Sequence, residues 1–110
     1  MKRIVAIVRP FKLYDVTQEL SELGVTGLTS TDVTTSGKQS GEIRPGMEGG
    51  GESLPMSKLE IVTPDHLVGR VVEVIQTVTK TGRTGDGRIL VEPVELAIRV
   101  RTGERGEEAL

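Results

Sequence analysis

Three glycines and two arginines fall within residues 81–88, directly before an apolar run. Glycine allows positive backbone φ angles and lets backbone N–H groups approach a ligand closely, so glycines beside guanidinium groups can form a concave anion site. Arginine adds a planar fork that can bind two phosphate oxygens at once. The segment therefore predicts a phosphate-binding loop. It does not follow the Walker pattern, and a glycine-rich hairpin with solvated arginines is the alternative.

A second pair of arginines, Arg99 and Arg101, lies a short distance downstream. Residues 96–101 have the pattern of a strand, and alternate side chains of a strand point to the same face. We therefore expect four arginines to converge on one anionic ligand, namely Arg83, Arg88, Arg99 and Arg101.

Signals of catalytic or metal chemistry are weak. The chain has no cysteine, which excludes disulfides, thiolate zinc sites and cysteine nucleophiles. His66 is the only histidine and falls in the first turn of a predicted helix, where an exposed side chain is the more ordinary role. Acidic residues in the glycine-rich segment before it lack the rigid spacing that acid–base catalysis requires. We expect a binding protein without a catalytic residue.

Length and composition predict one small domain. With 110 residues, 35% of them hydrophobic, the chain can bury a modest core. It contains one Phe, one Tyr and no Trp, so that core must be aliphatic. A single subunit of this size is marginally stable, which favours an oligomer. The net charge of −2 argues against nucleic-acid binding, which favours a basic protein.

The apolar stretch near the N-terminus is short. Five aliphatic residues, 4–8, precede Arg9 and Pro10, too few for a signal-peptide core or a membrane span. We expect a cytoplasmic protein that does not insert into a membrane.

Hydrophobic periodicity predicts two strand–helix–strand units. Residues 4–8 and 28–36 favour strands, and apolar residues spaced by three and four between them predict a helix that ends at Gly24. Residues 54–62 predict a third strand, and Asp65 is expected to cap a second helix that runs to Lys80. Short strands are expected at 88–91 and 96–101.

This order predicts an α+β domain with the ferredoxin-like split βαβ repeat, in which both helices cover one face of an antiparallel sheet. The other face also carries aliphatic residues and has no helix to cover it, so partner subunits are expected to bury it. Residues 37–53 break the pattern, because they hold six of the fourteen glycines and no periodicity. Such long loops are usually functional or disordered.

Short motifs along nearly the whole chain resemble those of the PII signal-transduction proteins. They are Arg9-Pro10-Phe11-Lys12-Leu13, Gly37-Lys38-Gln39, Pro64-Asp65, Thr81-Gly82 with Gly85-Asp86-Gly87, and residues 99–106. The resemblance implies a homotrimer in which three clefts between subunits bind ATP or ADP, with AMP a further candidate. It also implies a non-enzymatic regulator in nitrogen, carbon or energy sensing.

Residue by residue, the resemblance implies a nucleotide site and a regulatory loop. Nucleotide binding is expected from Gly37, Gln39, Gly85, Asp86, Gly87, Arg88, Arg99 and Arg101, with Gln39 also contacting magnesium that accompanies ATP. The loop at about 37–55, called the T-loop in the family, is expected to bind a membrane transporter or a metabolic enzyme. Its candidate contacts are Glu42, Arg44, Glu48 and Glu52, and residues 102–110 are expected to form an exposed tail.

Arg88 stands where family members usually have lysine, and two further features depart from the family pattern. Met56 occupies the place of a lysine that forms an ion pair with 2-oxoglutarate, and a thioether cannot replace that charge. The only tyrosine is Tyr14, so the T-loop lacks the tyrosine that is modified in the family. We therefore do not expect 2-oxoglutarate sensing. Bicarbonate is a candidate second ligand, as in PII-like proteins linked to carboxysomes or bicarbonate uptake. A ferredoxin-like small-molecule enzyme with weak ATPase activity is the alternative of another class.

Overall fold

The computed structural model describes residues 1–37 and 52–110, without the side chain of Glu52. This part of the chain forms four strands and two α-helices: β1 (Lys2–Val8), α1 (Leu13–Glu22), β2 (Thr29–Gly37), β3 (Glu52–Thr63), α2 (Asp65–Thr79) and β4 (Gly87–Pro93). Short 3-10 helices lie at Pro10–Lys12 and Gly106–Ala109.

The sheet has the strand order β2-β3-β1-β4, and each neighbouring pair is antiparallel. Ala6, near the middle of β1, pairs with Leu59 of β3 and Ile89 of β4. The helices connect strands across this sheet and pack on one of its faces. The arrangement confirms the predicted ferredoxin-like α+β fold.

The core lies between the sheet and the helices, and its apolar side chains are all aliphatic. Because side chains alternate along a strand, every second residue of β1 and β3 faces the helices. The apolar stripes of α1 and α2 cover them, and each fully buried Val, Leu or Ile contributes roughly 1.5–3 kcal/mol. The buried cluster comprises Ile4, Ala6, Val8, Val16, Leu20, Leu59, Ile61, Val71 and Ile75.

The sequence predicts the end of α1 correctly but not the cap at the start of α2. Gly24 follows α1 with a φ of +94°, which confirms the expected glycine stop. The expected cap by Asp65 is wrong, because Pro64 is the N-cap of α2 and no side chain caps the helix. The Asp65 carboxylate instead lies 3.0 Å from the amino group of Met1 and 3.7 Å from Nζ of Lys2.

The strand expected at residues 96–101 is absent from the described structure. This segment makes one isolated bridge, between Ile98 and Arg105, and turns back on itself. The turn is closed by the Gly103 N–H donating to the Arg99 carbonyl at 2.7 Å. Arg99 and Arg101 are therefore not alternate residues of a strand, and the face that they were expected to share does not exist.

Two loop boundaries also differ from those expected. β2 extends to Gly37 and β3 starts at Glu52, so the last four residues of the expected 37–55 loop belong to a strand. The C-terminal segment is only partly exposed: it contains the 3-10 helix Gly106–Ala109, and Ala109 and Leu110 are half-buried.

Candidate functional site

Residues 80–86 connect α2 to β4, and two glycines in this connection and one at the start of β4 shape it. Gly82, Gly85 and Gly87 have φ angles of +83°, +90° and +108°, which other residues rarely adopt. Gly87 has a second requirement, because a Cβ atom there would lie 1.7 Å from the carbonyl oxygen of Ile7 on β1. The glycines predicted to form an anion loop are thus needed to fold it.

The loop is held together by hydrogen bonds to the Asp86 carboxylate. Its Oδ2 accepts hydrogen bonds from the backbone N–H groups of Thr81 at 2.8 Å and Gly82 at 2.9 Å. Its Oδ1 accepts from the Thr81 hydroxyl and, at 3.0 Å, from Nε of Arg9. An anion held in this way cannot itself bind phosphate. Asp86, which we predicted as a residue of the nucleotide site, therefore contributes by shaping the loop.

Arg9 is a residue of this site that the sequence did not reveal. Besides its ion pair with Asp86, its guanidinium donates to the Thr84 carbonyl at 2.8 Å. It lies just after β1, and Asp86 is 77 residues away in sequence, so no local pattern connects the two. The available signals were its place between a predicted buried strand and Pro10 and its position in the motif Arg9-Pro10-Phe11-Lys12-Leu13. Arg9 fastens the glycine loop to the central strand.

The hydrogen bonds to Asp86 lower the pKa of its carboxyl well below the usual range, chiefly through the Thr81 hydroxyl and then the Thr81 N–H, Arg9 and the Gly82 N–H. A lowered folded-state pKa means that the network stabilises the fold above the unfolded pKa of about 3.9 and loses this effect as pH falls through the folded value.

We therefore expect the stability difference between the wild type and Asp86→Asn to be constant from about pH 5 to 9 and to shrink below about pH 4. In Asn, the amide nitrogen must face a donor whichever way it turns. Urea unfolding across this pH range measures the difference, with Asp32→Asn on the exposed part of β2 as the control. A difference that grows in acid would contradict the assignment.

A cavity of about 590 Å³ opens beside the loop, at the end of the helix-free sheet face. One wall contains the candidate residues Gly85, Asp86, Gly87 and Arg88, joined by Arg83. The remaining walls are mainly apolar. They are formed by Ile7, Thr35, Leu54, Met56, Thr84 and Leu90.

Arg99 and Arg101 lie elsewhere. β4 leaves the loop, spans about 20 Å at 3.3 Å per residue, and ends with Pro93 paired to Lys2. Beyond it, the Arg99 guanidinium donates to the Leu110 carbonyl at 3.1 Å and lies 3.9 Å from a Glu104 carboxylate oxygen. The four arginines therefore do not meet within one subunit, because β4 separates the two pairs, and their convergence on one ligand stays a prediction.

A second cavity, of about 580 Å³, lies at this opposite end of the sheet. Leu110 lines it and also accepts the hydrogen bond from Arg99, so the arginine is next to the cavity. Nε of Arg3, another lining residue, is buried and has no hydrogen-bond partner among the described residues. The other walls are mostly uncharged and include Gly24, Val25, Thr26, Gly27, Thr29, Val62 and Pro64.

Several predicted residues lie outside the described part of the chain: Gln39, with its expected magnesium contact, and Glu42, Arg44 and Glu48. Gly37 is the last residue of β2 and pairs with Glu52. Within residues 1–37 and 52–110, no helix is long and apolar enough to cross a membrane.

Comparison with known proteins gives one consistent result. The family model described as "Nitrogen regulatory protein P-II" matches residues 1–104. The chain is 47% identical to a nitrogen regulatory protein P-II of Haemophilus influenzae, and 46% identical to one of Azospirillum brasilense and to nitrogen regulatory protein P-II 1 of Escherichia coli K12. In each case the similarity covers 100% of both chains.

Proposed function

The chain belongs to the nitrogen regulatory protein P-II family, and from this premise we propose that it is a non-enzymatic cytoplasmic regulator that binds adenine nucleotides between the subunits of a homotrimer. The observation that carries the proposal is the division of the cationic residues. Arg88 and the glycine loop border one cavity, whereas Arg99 adjoins another at the far end of the sheet.

A cyclic trimer explains this division. Its interfaces are heterologous, so that each subunit presents one surface to one neighbour and a different surface to the other. The loop end of one sheet can then face the Arg99 end of the next, which reunites arginines that are separate within a chain. The helix-free sheet face favours such assembly because Leu90 is 49% exposed there.

The two cavities suit different parts of a nucleotide. The loop cavity is lined by Arg83 and Arg88 beside Gly85 and Gly87, and the guanidinium groups suit phosphate oxygens. The second cavity is lined mainly by glycines, threonines and aliphatic side chains, together with Arg3, Glu60 and Glu107, and this mixture suits a base and a sugar. A nucleotide spanning one cavity of each kind would place its phosphates between Arg88 and the neighbour's Arg99 and Arg101. Magnesium would accompany ATP, with Gln39 as a proposed contact.

The output of the regulator is proposed to pass through residues 38–51. Thr35 and Leu54, which lie on the strands leading into and out of this segment, line the loop cavity. A ligand in the cavity therefore touches the base of the segment and can change its conformation, a common type of switch. Partner contacts are proposed for Glu42, Arg44, Glu48 and Glu52. The partner is a membrane transporter or a metabolic enzyme in nitrogen, carbon or energy metabolism.

Calorimetry of the whole protein with ATP, ADP and AMP tests the nucleotide site. We expect Arg88→Gln and, separately, Arg101→Ala to weaken ATP binding roughly tenfold or more, because each removes charge-assisted hydrogen bonds to phosphate. Arg70→Gln on the exposed side of α2 is the matched control.

Unchanged affinity in both site variants would overturn the assignment. Rapid hydrolysis of ATP by the protein alone, without a partner, would instead favour the small-molecule enzyme.

A further inference from the structure

Arg9 contacts the glycine loop at two points, and only one of them involves the Asp86 carboxylate. Its Nε donates to Asp86 Oδ1 at 3.0 Å, and a terminal nitrogen donates to the backbone carbonyl of Thr84 at 2.8 Å. We infer that the second contact makes Arg9 a positioning residue for the nucleotide: by holding the Thr84 carbonyl, it turns the Gly85 N–H outward as a donor for a phosphate oxygen. This role rests on the proposed nucleotide function.

The planar peptide bond couples the Thr84 carbonyl to the Gly85 N–H. In a trans peptide, the carbonyl of one residue and the N–H of the next point in opposite directions. No peptide bond among the described residues is cis. Because the Thr84 carbonyl points at Arg9, the Gly85 N–H points away from it.

The neighbouring N–H groups of the loop are already engaged. Those of Thr81 and Gly82 donate to Asp86, and that of Arg83 donates to the Thr81 hydroxyl at 3.2 Å. Within residues 1–37 and 52–110, the Gly85 N–H has no hydrogen-bond acceptor. It therefore remains available to a ligand.

Arg9 and Gly85 lie on different sides of the loop. Gly85 lines the loop cavity together with Arg83 and Arg88, whereas Arg9 does not line it and borders a smaller cavity of about 280 Å³. The Arg9 side chain is only 23% exposed and is paired with Asp86. Arg9 therefore acts on a phosphate through the peptide that it holds, and not by direct contact.

Glycine at position 85 allows this peptide two orientations. Residues 84 and 85 form a turn, and the φ angle of Gly85 is +90°, as in a type II turn. A type I turn differs by a rotation of the central peptide through about 180°, and glycine can adopt the φ angle of either form. After that rotation the carbonyl would face the cavity and repel phosphate. The charge-assisted hydrogen bond from Arg9 selects the orientation that binds.

Calorimetry of the whole protein with ATP tests the role of Arg9. Arg9→Met removes both hydrogen bonds and should weaken ATP binding roughly tenfold. Arg9→Lys should stay within about threefold of the wild type, because an ammonium group has three donors and can serve both acceptors. Arg70→Met, on the exposed side of α2, is the matched control. No loss in Arg9→Met, or an equal loss in Arg9→Lys, would overturn the positioning role.

A double-mutant cycle separates peptide orientation from a general loosening of the loop. Gly85→Ala disfavours the positive φ angle and promotes the same rotation, so it should also weaken ATP binding about tenfold. Because one peptide can rotate only once, the double variant should bind ATP at most about twofold more weakly than Gly85→Ala alone. Independent effects would instead multiply to about a hundredfold and would contradict the mechanism. Gly85→Ala also tests the same peptide if Arg9→Met does not fold.

The amide resonance of Gly85 gives a direct readout by nuclear magnetic resonance of isotope-labelled protein. Saturating ATP should move the Gly85 amide proton downfield in the wild type, because the N–H then donates to phosphate, and should not do so in Arg9→Met. Urea unfolding of the same variants measures any loss of stability separately. A downfield shift that persists in Arg9→Met would overturn the positioning role alone. Absence of ATP binding by the wild type would overturn the proposed function itself.

Discussion

Replacing Gly87 with alanine is expected to destabilise the protein by about 3–5 kcal/mol. The added Cβ atom would lie 1.7 Å from the Ile7 carbonyl oxygen and 2.8 Å from its carbon. Both are backbone atoms of the central strand β1, which cannot move aside as the end of a side chain can. The φ angle of +108° adds strain for any residue with a Cβ atom.

This destabilisation arises at the start of β4, where its pairing with β1 begins. Gly87 pairs with Val8 at the start of β4, and Arg88 and Ile89 follow it. Relief of the clash requires the end of β4 to separate from β1, which breaks ladder hydrogen bonds and moves Arg88 away from the cavity. Small domains have a total stability of about 5–15 kcal/mol, so this loss is a large fraction of it.

Gly82→Ala is the matched control. Gly82 has a similar φ angle of +83°, but an added Cβ atom would meet nothing within 4 Å. Only the backbone strain remains, so we expect a loss of about 1 kcal/mol. Urea unfolding of both variants makes the comparison. Equal losses would show that conformational strain, and not the contact with Ile7, makes glycine necessary at position 87.

The strands and helices around the core could be predicted because their signals are local. The continuous run Ile4 to Val8 indicates a strand buried on both faces, and all of its residues are buried except Ile7, which is half-buried. In α1, Val16 and Leu20 are four residues apart and both face the core. The glycine loop was predictable for the same reason, since its three glycines adopt the positive φ angles that glycine permits.

The failed prediction of a strand at residues 96–101 shows where such patterns mislead. Leu96, Ile98 and Val100 alternate as in a strand, yet they are 52%, 46% and 98% exposed. Alternation indicates a strand only if a neighbouring strand is available, and here Gly103, with a φ of +82°, closes a turn instead. The Arg9–Asp86 ion pair could not be predicted from the sequence either, because only the fold brings its two residues together.

The second large effect concerns ATP binding, and it is expected because Arg88 and Arg101 are separated within one subunit. Arg88→Gln and Arg101→Ala homotrimers are each expected to bind ATP poorly. If each cleft takes Arg88 from one subunit and Arg101 from the next, a mixed trimer contains one cleft in which both arginines are present. Random mixing of equal amounts should then restore wild-type affinity in about a quarter of all clefts.

The experiment requires co-refolding of the two variants, with each variant refolded alone as the control. Calorimetry then gives both the affinity and the fraction of clefts that bind. If Arg88 and Arg101 of the same subunit formed the site, every site in the mixture would still lack one arginine and no binding would return. Light scattering on the same samples decides the assembly, since a monomeric mass would exclude any shared cleft. Recovery of about a quarter of the sites therefore requires a cyclic assembly in which opposite ends of the sheet meet, because only then does each subunit contribute a different arginine to each neighbour.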